Sequence, residues 1–282
     1  MILPKKKLKI ATILPYKENY SYNKASAASL WVSEFFKKSK YKKSNIIFGY
    51  TNYQDYLTVN YKNIKLKNIK SKFKSTTNEY ANKLSKELNN QIFDLIEIHN
   101  RPQLLFKLTN LVKNRFIFYF HNDPLSMKGS KTVKERLKLL DSVEKIIFVS
   151  EWVRERFFLD LDEKLKTKTE TVYPSVNKQK KTKKIKNIIF VGRLNYSKGY
   201  DIFKDAIIRI LDEFPNWKAY SLGDEERRNI YINHIRHKEL GFLNHKKTLN
   251  ILNQSEIAVV PSRWEEPFGR TSLEASSRGC AT

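Results

Sequence analysis

Residues 265–275 read Glu265-Glu266-Pro267-Phe268-Gly269-Arg270-Thr271-Ser272-Leu273-Glu274-Ala275, and this stretch decides the fold. An apolar run at residues 257–262 precedes it and predicts a buried strand. The residues from Thr271 onward predict a helix that ends at Gly279. A strand, a turn and a helix N-terminus together favour anion binding, because the free backbone N–H groups of the first helical turn and the helix dipole both attract negative charge.

Two carboxylates flank this turn. Glu266 lies before the predicted helix and Glu274 lies about one turn into it, so both can face one small ligand whose phosphates lie at the helix end. The alternative is an ordinary ion pair on a solvated helix face, because Arg270 precedes Glu274 by four residues. This stretch alone leaves both interpretations open.

A second strand, loop and helix lie upstream. The segment reads Ile188-Ile189-Phe190-Val191-Gly192-Arg193-Leu194-Asn195-Tyr196-Ser197-Lys198-Gly199. Its loop carries Arg193 and Lys198 beside glycines. A diphosphate needs compact positive charge and close approach of the backbone, and the planar fork of Arg and the point charge of Lys both supply that charge. The second loop therefore favours the anion-binding interpretation of the first.

Together the two stretches resemble the retaining, nucleotide-sugar-dependent glycosyltransferases of family four. The signature of that family is a Gly-Arg…Lys-Gly loop followed by Glu-Pro-Phe-Gly-x-x-x-x-Glu, and both parts occur here in that order. The resemblance implies an α/β chain with the GT-B fold, in which two Rossmann-like, doubly wound domains face one another across a cleft.

The resemblance also implies a role for each matched residue. Arg193 and Lys198 would hold the donor diphosphate. Glu274 would accept hydrogen bonds from the ribose hydroxyls. Glu266 would contact the transferred sugar and steady the positive charge that develops at its anomeric carbon. Further support for the phosphates would come from the amides of the turn and the helix start, at Phe268, Gly269, Arg270 and Thr271.

Two histidines follow apolar runs in the first half of the chain. The segments are His99-Asn100-Arg101-Pro102 and His121-Asn122-Asp123-Pro124. Ligands of open parallel sheets bind outside the carboxyl ends of the strands, although each histidine could equally cap the helix that follows it. The resemblance implies that His99 lies beside the donor sugar and that His121 lines the acceptor side, and the sequence leaves open which is nearer the sugar. Neither histidine lies in a cluster of metal-ligating residues, so we do not expect a zinc site.

Alternating strand and helix patterns divide the chain into two α/β domains. We predict an N-terminal, acceptor-side domain at residues 1–177, a basic linker at 178–186 and a nucleotide-sugar-binding domain at 187–282. The pattern also predicts a helix at 131–140 with Val133, Leu137 and Leu140 on its buried side, and a strand at 171–176. Because the resembled family continues past this point, the resemblance implies a C-terminally truncated second domain.

The charge of the chain is large and uneven. Its 282 residues carry a net charge of +25, and residues 1–90 contain 19 lysines against five acids. Anionic lipid attracts each nearby Lys by about 1 kcal/mol, so an anionic membrane surface is one candidate partner. Nucleic acid is another, and a compositional bias of the source genome would explain the lysines without any partner.

The remaining expectations concern location and activity. One cysteine excludes an internal disulfide, no apolar run reaches about 18 residues, and the N-terminal residues lack a signal-type core. We therefore expect a cytoplasmic protein, with a peripheral position on the inner face of the membrane as a further expectation. The expected activity is sugar transfer with retention from a nucleoside diphosphate to an acceptor hydroxyl, without a metal or other cofactor, in cell-envelope polysaccharide or lipopolysaccharide synthesis. The alternatives are a basic nucleic-acid-binding protein and an inactive remnant that still binds nucleotide.

Overall fold

The chain folds into two compact units, Met1–Tyr173 and Pro174–Thr282. The structure is a computed structural model that describes residues 8–66, 75–177, 182–225 and 229–282. The first four residues of the predicted linker lie outside the described residues. Both units are built on a parallel sheet with helices between the strands, so the predicted α/β class is confirmed.

Unit 1 contains a seven-stranded sheet in which every described pairing is parallel. Its strands are β1 (Ile10–Ile13), β2 (Asn45–Gly49), β3 (Tyr61–Asn63), β4 (Leu95–His99), β5 (Phe116–Phe120), β6 (Lys145–Phe148) and β7 (Thr169–Thr171). They lie in the order β3-β2-β1-β4-β5-β6-β7. All four residues of β1 are buried, as expected where a parallel sheet is covered on both faces.

Serine caps fix where two helices of unit 1 begin. The helices are α1 (Ala27–Lys38), α2 (Thr76–Asn89), α3 (Pro102–Leu111), α4 (Val133–Ser142) and α5 (Glu151–Phe158). Ser26 accepts a hydrogen bond from the amide of Ser29 and so sets the start of α1. Ser150 accepts one from the amide of Val153 at 3.1 Å and so sets the start of α5.

Two predictions for unit 1 are wrong in detail. On α4 the side chains of Val133 and Leu137 are exposed, and Leu140 is buried as predicted. Arg136 takes the inward position instead, because its guanidinium donates to the carbonyls of Lys131 and Leu159 at 2.9 and 2.5 Å. The last strand of the sheet is Thr169–Thr171 rather than residues 171–176, so it pairs with β6 earlier in the chain than predicted.

Unit 2 contains a four-stranded parallel sheet in the order β10-β9-β8-β11, with the ranges β8 (Ile185–Val191), β9 (Lys218–Leu222), β10 (His237–Gly241) and β11 (Ser255–Val259). The helices are α6 (Tyr200–Glu213), α7 (His245–Gln254) and α8 (Arg270–Ser276). β8 begins inside the predicted linker, and the unit itself begins at Pro174. The sequence analysis missed β10, because an edge strand needs little apolar surface and this one carries His, Lys and Glu.

Each sheet has one place where the strand order reverses. In unit 1 the chain leaves β1 toward β2 and β3, and then returns to pair β4 on the other side of β1. In unit 2 it leaves β8 toward β9 and β10, and then places β11 on the other side of β8. The crevice outside the carboxyl ends of two such strands is where doubly wound sheets bind ligands.

A helix that crosses a membrane must be long and predominantly apolar. Within the described ranges, none combines the length and the apolar character that a membrane crossing requires.

Candidate functional site

The two predicted anion-binding loops meet at the reversal point of unit 2. One loop follows β8 and the other follows β11. Gly199 has φ +69°, and a Cβ atom there would lie 1.9 Å from the carbonyl oxygen of Pro261, so only glycine fits. The amides of Arg263 and Trp264 both donate to the carbonyl of Ser197 at 3.0 Å. The loops therefore form one continuous surface.

Lys198 and Glu266, which the sequence places in different motifs, form an ion pair. The Lys198 Nζ atom donates to Oε1 of Glu266, and the Ser262 hydroxyl donates to the same oxygen at 3.0 Å. Both charged side chains are partly buried, with 23% and 29% of their surface exposed. This part of the predicted site is therefore assembled within one unit.

Asn195 organises the loop that carries Lys198. Its side-chain oxygen accepts hydrogen bonds from the Lys198 amide at 3.2 Å and from the Ser197 hydroxyl at 2.9 Å, and its side-chain amide donates to Glu225 at 2.8 Å. The sequence analysis gave this residue no role. An Asn before a short helical turn that ends in Gly is the signal that could have identified it, because Asn is a preferred N-cap.

Glu274 is buried in the first turns of α8 and takes two charged or polar partners. The Nε atom of Arg270 donates to Oε1 of Glu274 at 2.7 Å, and the Nε2 atom of His245 lies 2.7 Å from the same oxygen. Burial raises the pKa of the Glu274 carboxyl, but the hydrogen bond from His245 and the charge of Arg270 outweigh it and leave the pKa below its usual value. The ion pair considered as the alternative is thus present. Oε2 has no hydrogen-bond partner among the described residues, so it remains available to a ligand.

The other residues predicted to bind the nucleotide-sugar donor lie on the same two loops. Arg193 lies two residues after the end of β8 and is exposed, and within the described chain its guanidinium makes no hydrogen bond or ion pair. Gly269 has φ +79° and is the N-cap of α8. The four residues from Phe268 to Thr271 are partly exposed. The first amides of a helix have no acceptor within it, so these N–H groups suit an anion.

His99 and His121 are hydrogen-bonded to each other in unit 1. The Nδ1 atom of His99 lies 2.8 Å from Nε2 of His121, and their rings stack with centroids 5.1 Å apart. Burial lowers the pKa of His99 well below its usual value, with a further contribution from His121, and burial lowers the pKa of His121 to about 3. Both rings are therefore neutral at pH 7. His99 is only 1% exposed, and His121 is the more exposed of the two.

A polar cavity of about 280 Å³ lies at the carboxyl ends of β1, β4 and β5. Asn100, Arg101 and Asn122 line it, and neither histidine does. Asn100 and Arg101 have φ of 52° and 60°, an uncommon conformation for residues other than glycine. The sequence analysis gave these three residues no role. Their position directly after strand-end histidines is the signal that could have identified them.

The described residues contain no group of three or more His, Cys, Asp or Glu side chains that could hold a metal ion. Arg193 and Lys198 place two cationic side chains on the loop after β8, at the reversal point of unit 2.

Comparison with known proteins defines the class of unit 2. Residues 174–282 match the family model "Glycosyl transferases group 1". Unit 2 is therefore similar to the glycosyltransferase domains of this group, which is what the two loop motifs predicted.

Individual relatives extend the similarity to unit 1. The chain is 24% identical over 234 residues to spore coat protein SA of Bacillus subtilis, a match that covers 71% of this chain and 62% of that protein. It is 36% identical over 101 residues to an uncharacterized glycosyltransferase of Methanocaldococcus jannaschii, covering 33% of this chain and 25% of that protein. The chain thus spans less than two thirds of the length of these relatives.

Solved structures share the fold of both units. Anabaena HepE in complex with UDP and glucose superposes with a TM-score of 0.67 at 15% identity, covering 97% of this chain and 79% of that one. A glycosyltransferase from Rickettsia africae gives a TM-score of 0.69 at 15% identity, covering 97% and 78%. The two-domain, Rossmann-like architecture of GT-B glycosyltransferases is therefore confirmed as the fold class.

Proposed function

We propose that the chain is a retaining glycosyltransferase of family four that transfers a sugar from a nucleoside diphosphate to an acceptor hydroxyl. The observation that carries the proposal is the Lys198–Glu266 pair, which joins the two signature loops at the reversal point of unit 2. Cation and carboxylate lie side by side at the place where a doubly wound sheet binds its ligand. A diphosphate and the sugar attached to it need these two groups next to each other.

The donor diphosphate would lie between side-chain cations and main-chain amides. Lys198 and Arg193 would neutralise the leaving diphosphate, with the amides from Phe268 to Thr271 adding hydrogen bonds. Donors fixed in advance at the point where charge develops lower the barrier, because they need no reorganisation during the reaction. With these cations supplied by the protein, we propose that transfer needs no metal or other cofactor.

The two acids would act on different parts of the donor. The open Oε2 oxygen of Glu274 would accept hydrogen bonds from the ribose hydroxyls, and the contacts from Arg270 and His245 keep this carboxylate ionised and oriented. Glu266 would face the transferred sugar and stabilise the positive charge at its anomeric carbon. Lys198 holds Glu266 in place until the donor diphosphate engages the ammonium group.

The histidine pair would serve the transferred sugar and the acceptor. We propose that His121 contacts them, because it is the more exposed ring, and that His99 is a positioning residue behind it. Retention of the anomeric configuration follows from the family resemblance.

The acceptor would belong to the cell envelope. The similarity to a spore coat protein and the lysine surplus of residues 1–90 support this proposal. Lysines near an anionic membrane would hold the enzyme at the inner surface, where lipid-linked or polysaccharide acceptors are found.

A binding screen tests the proposal. Thermal unfolding of the full chain would be measured with UDP, GDP, ADP and their glucose conjugates, since a ligand that binds only the folded state raises the unfolding temperature. We expect at least one nucleotide and its glucose conjugate to stabilise the wild type and to lose this effect in Glu274→Gln. The matched control is Glu213→Gln, at an exposed position, which should keep the stabilisation. Stabilisation by none of the six compounds would refute a nucleotide-sugar site of this kind.

A further inference from the structure

The polar cavity at the carboxyl ends of β1, β4 and β5 has no part in the function proposed above. It encloses about 280 Å³, and all the residues of its wall belong to unit 1. An apolar cavity of about 150 Å³ is enough to hold a benzene molecule, so this one has room for a sugar ring with a further group attached. Three charged side chains line the wall, Glu18, Arg101 and Lys128, so the cavity suits a polar ligand.

Asn100 offers this cavity a hydrogen-bond donor from a buried position. The residue lines the cavity and is only 4% exposed. Its Oδ1 atom accepts a hydrogen bond from the His121 amide at 2.9 Å, which fixes the orientation of the side-chain amide. The Nδ2 atom donates to none of the described residues, and it keeps some surface accessible to solvent. The N–H groups of Nδ2 are therefore open to a ligand in the cavity.

Two cations of the wall have no anionic partner within the described chain. The Arg101 guanidinium lies 5.2 Å from the centre of the Tyr16 ring, which also lines the cavity, and makes no hydrogen bond or ion pair with a described residue. Lys128 is exposed and equally unpaired in the described chain. Gly129 (φ +95°) brings Lys128 to this wall, because its backbone lies so close to α3 that a Cβ atom would be 3.0 Å from Cβ of Pro102. An unpaired guanidinium favours a phosphate, to which its planar fork can donate two parallel hydrogen bonds.

The start of α3 adds a main-chain donor to the same wall. Pro102 is the first helical residue and has no N–H, and the amide of Leu104 donates to the carbonyl of Arg101 at 2.8 Å. The amide of Gln103, between them, donates to none of the described residues. The positive end of the helix dipole adds to the attraction for an anion. Side-chain and main-chain donors of this wall thus favour the same kind of group.

Glu18 indicates what else the ligand carries. Its carboxylate lines the cavity and has no hydrogen-bond or ion-pair partner among the described residues. A carboxylate only accepts hydrogen bonds, so the ligand must also offer donors. An amine would meet Arg101 and Lys128 as like charges, whereas the hydroxyl groups of a sugar donate without a charge. The wall therefore fits an anion attached to a hydroxylated compound.

We propose that this cavity of unit 1 binds a phosphorylated sugar, with the phosphate on Asn100, Arg101 and Lys128 and a sugar hydroxyl on Glu18. Binding itself needs neither a nucleotide nor the loops of unit 2. Under the proposed function, on which this last step alone rests, the phosphorylated sugar is the acceptor, because Asn100 of the cavity wall is hydrogen-bonded to the backbone of His121.

Calorimetric titration of the full chain with glucose 6-phosphate, glucose and inorganic phosphate tests the site. We expect glucose 6-phosphate to bind at least about tenfold more tightly than either of the others, because glucose lacks the anion and phosphate lacks the sugar hydroxyls. Equal affinity for glucose or for inorganic phosphate would overturn the proposal, and so would no binding of glucose 6-phosphate. The titration contains no nucleotide, so its failure would leave the donor site of unit 2 standing, and failure of the nucleotide screen would leave this site standing.

Three variants that each lower the net charge by one locate the phosphate. Asn100→Asp keeps the oxygen that accepts from His121 and suits the same backbone conformation, φ 52°, but replaces the open donor with an acceptor. Arg101→Gln removes the unpaired guanidinium. Each should weaken binding of glucose 6-phosphate at least about tenfold.

The matched control is Lys113→Gln, at an exposed position outside the cavity, which should keep wild-type affinity. Unchanged affinity in either Asn100→Asp or Arg101→Gln would refute the assignment, as would an equal loss in Lys113→Gln. If a variant does not fold, the comparison of the three compounds on the wild type still decides.

Discussion

At the residue scale, the site depends on which charges already have partners. Lys198 is paired with Glu266, Arg270 is paired with Glu274, and Arg193 has no such partner among the described residues. Under the proposed function, Lys198 holds the acid that would face the sugar, Arg270 orients the acid that would bind the ribose, and the exposed Arg193 would meet a phosphate. Three basic side chains of the two motifs would thus have three different tasks.

Replacing Lys198 should separate catalysis from folding. We expect Lys198→Ala to lower kcat by about 100- to 1000-fold, because one preorganised group that stabilises developing negative charge is worth that much. The measurement is sugar transfer or donor hydrolysis with the nucleotide sugar found in the screen. Lys247→Ala, at an exposed position on α7, is the matched control and should keep wild-type turnover. Wild-type turnover in Lys198→Ala would show that this ammonium does not serve the diphosphate.

The histidine pair predicts a dependence of stability on pH. The pKa of His121 is depressed to about 3 in the folded state by burial, against 6.5 when unfolded. The unfolded chain therefore takes up the proton first, and stability that is complete above pH 6.5 declines as the pH falls toward 3. The decline should be about 1.4 kcal/mol per pH unit for each such histidine. Urea unfolding at pH 7 and pH 5 measures it, and the slope should fall in His121→Gln but not in His234→Gln of unit 2. An unchanged slope in His121→Gln would contradict neutral burial.

At the element scale, the loops after β8 and β11 are attached to each other through direct backbone contacts. Gly199 allows the contact with Pro261, and Arg263 reinforces it through two hydrogen bonds of 2.6 and 2.7 Å to Asp201 at the start of α6. The Arg263 guanidinium also lies 3.8 Å from the centre of the Tyr196 ring. A long-range contact of this kind leaves no local pattern, so the sequence predicted each loop but not their attachment.

Two glycines with the same backbone conformation allow the contact to be tested. Gly199 has φ +69° and Gly241 has φ +65°, but a Cβ atom at Gly241 would meet nothing within 4 Å. Alanine should therefore cost about 1 kcal/mol of unfolding free energy at Gly241, from the backbone alone. At Gly199 it should cost at least about 3 kcal/mol and should weaken nucleotide binding, since the two loops must separate. Urea unfolding and the thermal-shift screen measure both effects. Equal costs at the two positions would show that the close approach does not hold the loops together.

At the scale of the whole molecule, the sequence predicted what depends on local pattern. The α/β class and the strand-loop-helix of both motifs follow from apolar runs and glycines. The buried Arg136, the edge strand β10 and the partnership of His245 with Glu274 do not, because each depends on residues distant in the chain.

The charge of the molecule is a further property of the whole, and part of it is concentrated at the C-terminal end of α1 and in the loop that follows. Five exposed lysines lie within seven residues, at Lys37, Lys38, Lys40, Lys42 and Lys43. A matched set of five exposed lysines lies in unit 2, at Lys183, Lys186, Lys218, Lys246 and Lys247. The two sets change the net charge equally, so comparing them separates local attraction from total charge.

Binding to anionic vesicles should depend on the first set. Each Lys near an anionic bilayer contributes about 1 kcal/mol, so changing all five residues of the first set to Gln should weaken binding to phosphatidylserine vesicles by at least about 100-fold. Changing the second set should weaken it much less, and raising the salt from about 0.05 M to about 0.3 M should release the wild type, because the attraction is screened. Vesicle sedimentation measures all three. Equal losses from the two sets would mean that total charge alone drives the association. Equal binding to uncharged vesicles would rule out an electrostatic membrane surface, whereas a salt-dependent shift of duplex DNA with no vesicle binding would favour the nucleic-acid alternative.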